Sequence, residues 1–494
     1  MKKELRLIFF LFVICATFSQ AQIAFHHSVL PPLAPDSIDL AYYKKKHPLR
    51  ATALNLGLNL GVWAFDRYCL EADYAYINMK TIKHNFKKGF VFDNDQMGTN
   101  MFLHPYHGSL YYNAARSNGY NFWQSGLYSL GGSFVWEMFM ENERPSTNDI
   151  IATPIGGMAL GEMFYRVSDA ILNDTKTGKA RFGRELASFI ISPTRGLTRI
   201  LTGDAWKKRQ TTGKQFGVPD VTVMLSLGVR ALELKDEIFD KGTGIATEID
   251  IEYGDRFDAE KKQPYDYFSV RASLNIHSSQ PILGQLNVTG RLLGVELVET
   301  EKRSLNLGMF QHFDYYDSDT ISSVSAQIPY KFCTPASVGI GAIYKLQLSK
   351  NWELDAFNHI NGVIIGASLS DHYRVEERNY NLASGFATKN GVNVIYKKDI
   401  LALTANYEMY RMYTWKGYPK DIDWEHVDAK NLNAQGDVSK AILHATNISL
   451  HIKLKNKLYL TTSFSNYIRD TNYKYFEDVY SRTSEGKLML SWVF

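Results

Sequence analysis

Seven side chains in the first half of the chain could do chemistry: His104, His107, Arg116, Glu137, Glu141, Asp149 and Glu162. His104 and His107 flank Pro105 and Tyr106 in MFLHPYHGSLYYNAARSNGY, residues 101–120, and Arg116 follows nine residues after His107. Glu137 and Glu141 are four apart, so a helix puts both on one face. Two like carboxylates in an apolar helix need a cation or raised pKa values, which is the condition of a metal or general acid–base site. The competing reading is structural. Arg116 would pair with Glu137 or Glu141, while Asp149 and His104 hydrogen-bond helix ends, because buried charges are paired and helix termini need partners. Ligand or partner binding is the third option. The residues name no metal, and no cofactor is expected. The sequence contains no Gly-Lys phosphate loop, no His-Glu-x-x-His, no Gly-x-Ser-x-Gly and no Cys-x-x-Cys.

The elements that must position these residues are helices, expected over residues 49–205. LRATALNLGLNLGVWAFDRY reads as a helix with small residues four apart at Ala53, Gly57 and Gly61. ATPIGGMALGEMFYRVSDAIL repeats the device with Gly157 and Gly161 after Pro154. Small residues at this spacing let helix backbones approach closely, in a soluble bundle or a lipid-facing one. A largely apolar helix is expected from Phe122 to Glu141, broken by Pro145 and Ser146. Pro105 opens a helix that Gly119 closes, and SPTRGLTRIL starts another with Ser192 as N-cap and Pro193 in the first turn. Five to seven helices are expected in all.

The start of the chain sets the compartment. MKKELRLIFFLFVICATFSQAQ has a basic beginning, an apolar run from Leu7 to Phe18 and small residues Ser19 and Ala21. It reads as a cleavable signal peptide over residues 1–21. Its removal takes two net positive charges off a formal total of +4, leaving no basic field of the kind that binds nucleic acid. Residues 22–48 form a Pro-rich linker with a basic cluster at Lys44 to Lys46. The mature chain keeps Cys69 and Cys333, and no disulfide framework is expected.

From residue 219 to 494 the text alternates with period two. LALTANYEM sets Leu401, Leu403, Ala405, Tyr407 and Met409 against Ala402, Thr404, Asn406 and Glu408. GIATEIDIEYG sets Ile249 and Ile251 against Glu248, Asp250 and Glu252. One apolar face and one charged face suit a wall between lipid and a wet lumen. Tight turns at 349–351, 397–399 and 455–457 alternate with longer connections, the pattern of an outer-membrane barrel. About twelve strands are expected, with phase shifts near Leu292 and Pro329 that suggest bulges or strand ends. The final strand, GKLMLSWVF, ends on Phe494 and resembles the signature read by the barrel assembly machinery. Glu248, Asp250, Glu252 and Arg271 would line a pore or pair across a closed lumen.

The expected fold class is therefore α+β, an N-terminal α-helical domain followed by an antiparallel transmembrane β-barrel. The helical domain is expected at the periplasmic mouth, with a partial plug as the alternative. VFDNDQMGTNMFLHPYHGSLYYNAARSNGY and SFVWEMFMENERPSTNDIIATPIGGMALGE resemble the family catalogued as domain of unknown function 3943, over roughly Phe92 to Asp169. That resemblance implies an exported Gram-negative envelope protein with an outer-membrane barrel, and no activity that could be carried over. Three functions follow: a structural or partner- and ligand-binding barrel, an enzyme acting on lipid or lipopolysaccharide through His104, Glu137 and Glu141, and a channel or transporter gated by the helices. Expected partners are outer-membrane lipid, the assembly machinery and another envelope protein.

Overall fold

Twelve strands in the second half of the chain pair in sequence order and close on themselves. A computed structural model describes residues 45–234, 237–238, 243–259, 263–276, 281–318, 328–373, 378–427 and 432–494. The expected signal peptide and residues 22–44 of the linker lie outside them. The strands are β1 (Val221–Leu234), β2 (Gly244–Tyr253), β3 (Phe268–Ile276), β4 (Leu283–Thr300), β5 (Arg303–Asp317) and β6 (Lys331–Gln347), then β7 (Trp352–Leu369), β8 (Tyr380–Tyr396), β9 (Leu401–Tyr413), β10 (Ser439–Lys455), β11 (Leu458–Tyr473) and β12 (Val479–Val493). Each is antiparallel to the next, and β12 closes the barrel on β1 from Met224↔Val493 to Leu234↔Thr483. Closure removes the unpaired edges that such a sheet would otherwise expose. The expected phase shift near Leu292 is a bulge between Arg291 and Leu293, whereas Pro329 lies just before β6. The connection between β11 and β12 spans only residues 474–478, because β11 runs on to Tyr473.

Seven helices precede the barrel among the described residues: α1 (Pro48–Tyr68), α2 (Met79–Lys88), α3 (His104–Arg116), α4 (Phe122–Val135), α5 (Asp149–Ile171), α6 (Gly178–Ile191) and α7 (Pro193–Leu201). α4 runs into a π-helical turn, Trp136–Met140, so the expected helix to Glu141 changes pitch before it ends. Gly119 ends the chain segment after α3 at φ +88°, where any Cβ would also strike the Lys45 carbonyl. α3 and α5 touch backbone to backbone: a Cβ on Gly157 would sit 2.5 Å from the Gly108 carbonyl carbon. The small-residue device thus works on α5. On α1 it does not. Gly57 and Gly61 face open space, and Asn55 and Asn59 make the packing face instead.

The two faces of the wall can be told apart on β5. Tyr316 donates to Glu408 on β9 at 2.7 Å, and Lys389 on β8 donates to Asp314. Contacts that skip two or three strands cross the interior, so Asp314 and Tyr316 point into the lumen. Their neighbours Phe313 and Tyr315 point outward by the period of the strand. These outward residues form one core with Met101, Leu160 and Met163 of the helical domain. The helices therefore lie along the outer wall, over β3 to β8. They neither cap the short-turn mouth nor plug the lumen, which corrects both positions expected from the sequence. The contact is specific: Gln311 donates to the Ile155 carbonyl at 2.8 Å, Arg166 to the Pro264 carbonyl at 2.7 Å, and Phe122 stacks on Tyr265. At the long-loop rim, Tyr380 donates to the Asp95 carbonyl at 2.7 Å and Arg378 to Asn94 at 2.8 Å.

Candidate functional site

Six of the seven candidates separate into two polar joints at opposite ends of α3, and His107 lies outside both. His104 and Arg116 are twelve residues apart on one helix, about 18 Å at 1.5 Å per residue. Arg116 consequently cannot reach Glu137 or Glu141, and the expected pairing is corrected. It meets Glu162 instead, through Nε at 2.8 Å and Nη2 at 3.1 Å. Arg166 holds the other side of the same carboxylate at 2.8 Å, and Tyr112 donates to it at 2.7 Å. Glu162 is fully buried, so three donors replace its lost water.

The other joint gathers His104, Glu137, Glu141 and Asp149, as an acid–base or metal reading would require. Asp93, which the sequence did not single out, is the fifth member. Asn148 bridges Asp93 and Asp149 through one amide, at 3.1 and 2.9 Å. Asn100 donates to Asp93 and to the Tyr380 hydroxyl, tying the joint to the barrel. The Ser146 N–H donates to Glu137 at 2.7 Å, and the Asn85 amide donates to the Glu141 carbonyl at 3.1 Å. His104 Nε2 lies 3.7 Å from Asp149 Oδ2. Among the described residues no group of three His, Cys, Asp or Glu side chains has metal-binding geometry.

Burial dominates the protonation of this joint. It pushes Glu137 up to about 8. It raises Glu141 well above the carboxylate range, helped by the charge of Glu137. Asp149 rises by burial and by the charge of Asp93. Asp93 goes the other way: burial opposes its charge, but hydrogen bonds from Asp149, Asn100 and Asn148 hold it below its usual value. Asp149 and Asp93 thus share one proton, carried by Asp149. Burial lowers His104, so a neutral imidazole stands beside the pair. His107 drops to about 3 for the same reason and stays outside the joint, stacked on Tyr111 and edge-on to Trp136. A shared proton next to a neutral imidazole can act as acid or base. Glu137 and Asp149 are 2 % exposed, while His104, Glu141 and Asp93 are partly open.

A second feature lies beyond the Arg116–Glu162 joint. A cavity of about 40 Å³ is lined by His47, Arg50, Arg116, Asn118, Arg195 and Arg199, among others. Asp204 is the only acid among its described lining residues. Arg195 is oriented by Asp169 at 2.5 Å and by the Tyr165 carbonyl at 2.8 Å, while Arg199 is oriented by Asp174 at 2.7 Å. Arg195 and Arg199 share α7, but Arg50 and Arg116, which complete the cluster, lie far back in the chain on α1 and α3, so no local spacing flags the group.

The charges singled out on the barrel strands pair with near neighbours along the wall. Lys487 on β12 meets Glu248 on β2 at 2.7 Å, Arg271 meets Asp250 on the adjacent strand at 3.4 Å, and Arg256 meets Glu252 four residues back. Tyr316, Tyr330, Phe332, Tyr410 and Tyr467 pack together in a separate cluster.

No curated protein matches the chain. Among solved structures, the Pseudomonas putida toluene transporter TodX shares 10% identity, covering 55% of this chain and 88% of that one at a TM-score of 0.21. OmpT of Vibrio cholerae shares 8%, covering 56% and 97% at 0.24, and the channel DcaP of Acinetobacter baumannii 10%, covering 56% and 97% at 0.22. At scores this low, the barrel assignment stands on the chain's own strand pairing. The helical domain is a different matter: both joints lie almost entirely within residues 89–194, and over those residues the chain matches the model of the family described as domain of unknown function (DUF3943).

Proposed function

We propose that the protein is an outer-membrane barrel of the cell envelope, exported by its signal peptide, whose helical domain binds an anionic ligand. The barrel is the scaffold. The observation that carries this reading is the cavity beside Arg50, Arg116, Arg195 and Arg199, a cluster of forks suited to phosphate or carboxylate. Arg116, Arg195 and Arg199 are held in place by buried acids behind them and Arg50 by Asn118, so the site is preorganised. The lumen, bridged by Lys389 to Asp314 and by Tyr316 to Glu408, favours a scaffold over an open pore. Purified full-length protein in detergent should bind inorganic phosphate or an anionic phospholipid saturably, and Arg50→Ala should weaken that binding. Equal binding by wild type and variant would sink the assignment of the site.

A second reading is an enzyme acting on envelope lipid at the His104 joint, favoured by the Asn148-bridged Asp93 and Asp149 with His104 3.7 Å from Asp149. His104→Ala and Glu141→Gln should then leave a correctly inserted barrel and alter the envelope lipid profile. An unchanged profile in both would remove this reading. The other partners, the assembly machinery and a further envelope protein, belong to the proposal as well.

A further inference from the structure

Helices α1 and α4 have their polarity inverted. The side of α1 that packs on the protein carries Asn55, Asn59 and Asp66, all buried. Asn55 donates to the Tyr128 carbonyl at 2.9 Å and Asn59 to the Gly132 carbonyl at 3.3 Å, both on α4. The packed side of α4 is equally polar: Ser125, Ser129 and Ser133 are buried, and Ser129 donates to the Gly108 carbonyl at 2.8 Å. The outward sides are apolar. Leu60 is 53 % exposed on α1, and Trp123 and Leu127 are 52 % and 67 % exposed on α4. Water would reverse this pattern, since it drives such apolar side chains into the interior. Among the described residues no helix is long and apolar enough to cross a membrane. On α1 and α4 the polar residues lie inside, bonded to neighbouring backbones.

We infer that the outward faces of α1 and α4 are bathed by lipid acyl chains, so that helices and barrel together present one continuous apolar surface to the membrane. The inference rests on the reading of the barrel as a membrane protein. Two observations commit it to lipid rather than to a second protein. The helices cover a band of outer wall that would otherwise face the bilayer, including Val288 and Phe313. Beside that band the uncovered wall continues in kind, with Ile340, Ile448 and Leu488 exposed. Small and polar residues at helix contacts, with leucine outside, are the arrangement of helices packed in lipid. Twenty-one residues of α1 span about 32 Å, near the thickness of a hydrocarbon core of about 30 Å.

The test uses full-length protein in phospholipid vesicles, with exposed Cys69 replaced by serine and single cysteines placed at Leu60, Leu127 and Ile448 for nitroxide labels. His426, exposed in a long connection, serves as the water reference. Labels at 60 and 127 should match 448, with collision rates higher for oxygen than for a nickel chelate, and His426→Cys should show the inverse ratio. The chelate prevailing at 60 and 127 while 448 stays lipid-like overturns the inference alone. Exclusion of both reagents at 60 and 127 overturns it in favour of a covering protein. The chelate prevailing at 448 as well overturns it together with the membrane reading of the barrel. Leu130→Cys, on the same face of α4, replaces Leu127→Cys if that variant does not fold.

Discussion

Arg116 and Glu162 face each other across α3 and α5 in a two-point contact, and Glu162 holds Arg166 at the same time. One buried carboxylate therefore serves two buried guanidiniums. Glu162→Gln should remove the charge that both depend on and destabilise the fold by about 3–5 kcal/mol, the range for a broken buried pair. Arg116→Met leaves Arg166 on Glu162 and should do less damage. Urea midpoints in detergent, followed by tryptophan fluorescence, should rank wild type above Arg116→Met above Glu162→Gln. The reverse order of the two variants would contradict the arrangement.

The barrel was legible because a strand writes its two faces into alternate residues and its ends into turns. The position of the helices was not. An outward apolar residue reads the same whether lipid or helix covers it: Phe313 and Tyr315 meet the helical domain, while Leu488 and Leu490 do not. Gln311, which points outward, was a usable signal, because a lone amide sits poorly in lipid and here meets the Ile155 carbonyl. At the site, the convergence of His104, Glu137, Glu141 and Asp149 could be read from polar residues in apolar helices. Arg116 was misassigned because its distance along α3 was left out. Asp93 was missed because it lies in irregular chain with no period to flag it.

The two glycine stripes predict opposite signs. On α5, Gly157→Ala forces a Cβ onto the Gly108 backbone, which side-chain adjustment cannot relieve. It should cost about 1–3 kcal/mol. On α1, Gly57→Ala meets nothing within 4 Å and should stabilise by roughly 0.5–1 kcal/mol through helix propensity. Melting temperatures of the two variants should fall on either side of wild type. Destabilisation by Gly57→Ala would mean that α1 has a close neighbour on that face.

Glu137 gives the acidic joint a pH dependence of definite sign. Its folded value of about 8 lies above the ordinary 4.5. The folded state therefore keeps a proton that the unfolded chain releases between those values. Stability from this group is complete below pH 4.5, falls as pH rises through the window, and levels off above about 8. Glu137→Gln keeps an acceptor for the Ser146 N–H and should flatten that slope. Melting temperatures of wild type and variant, taken across the window, check it. A wild-type stability that rises with pH there would refute the buried, protonated state.

Asp314 and Lys389 test how the lumen is closed. The two groups hydrogen-bond in the interior, where Asp314 also accepts from Asn287 at 2.8 Å, and Glu408 accepts from Tyr316 close by. Removing the cation alone with Lys389→Met strands a carboxylate among partners that cannot neutralise it. Removing the anion alone with Asp314→Asn strands an ammonium. Each should cost about 3–5 kcal/mol, as breaking buried pairs does. The double variant leaves neither charge, so its cost should fall well short of the sum, with a coupling of about 0.5–3 kcal/mol. The thermal midpoint at which the folded barrel loses its compact gel migration gives all four corners of the cycle. Strict additivity would place water between the two groups, and the lumen at that level would then be open.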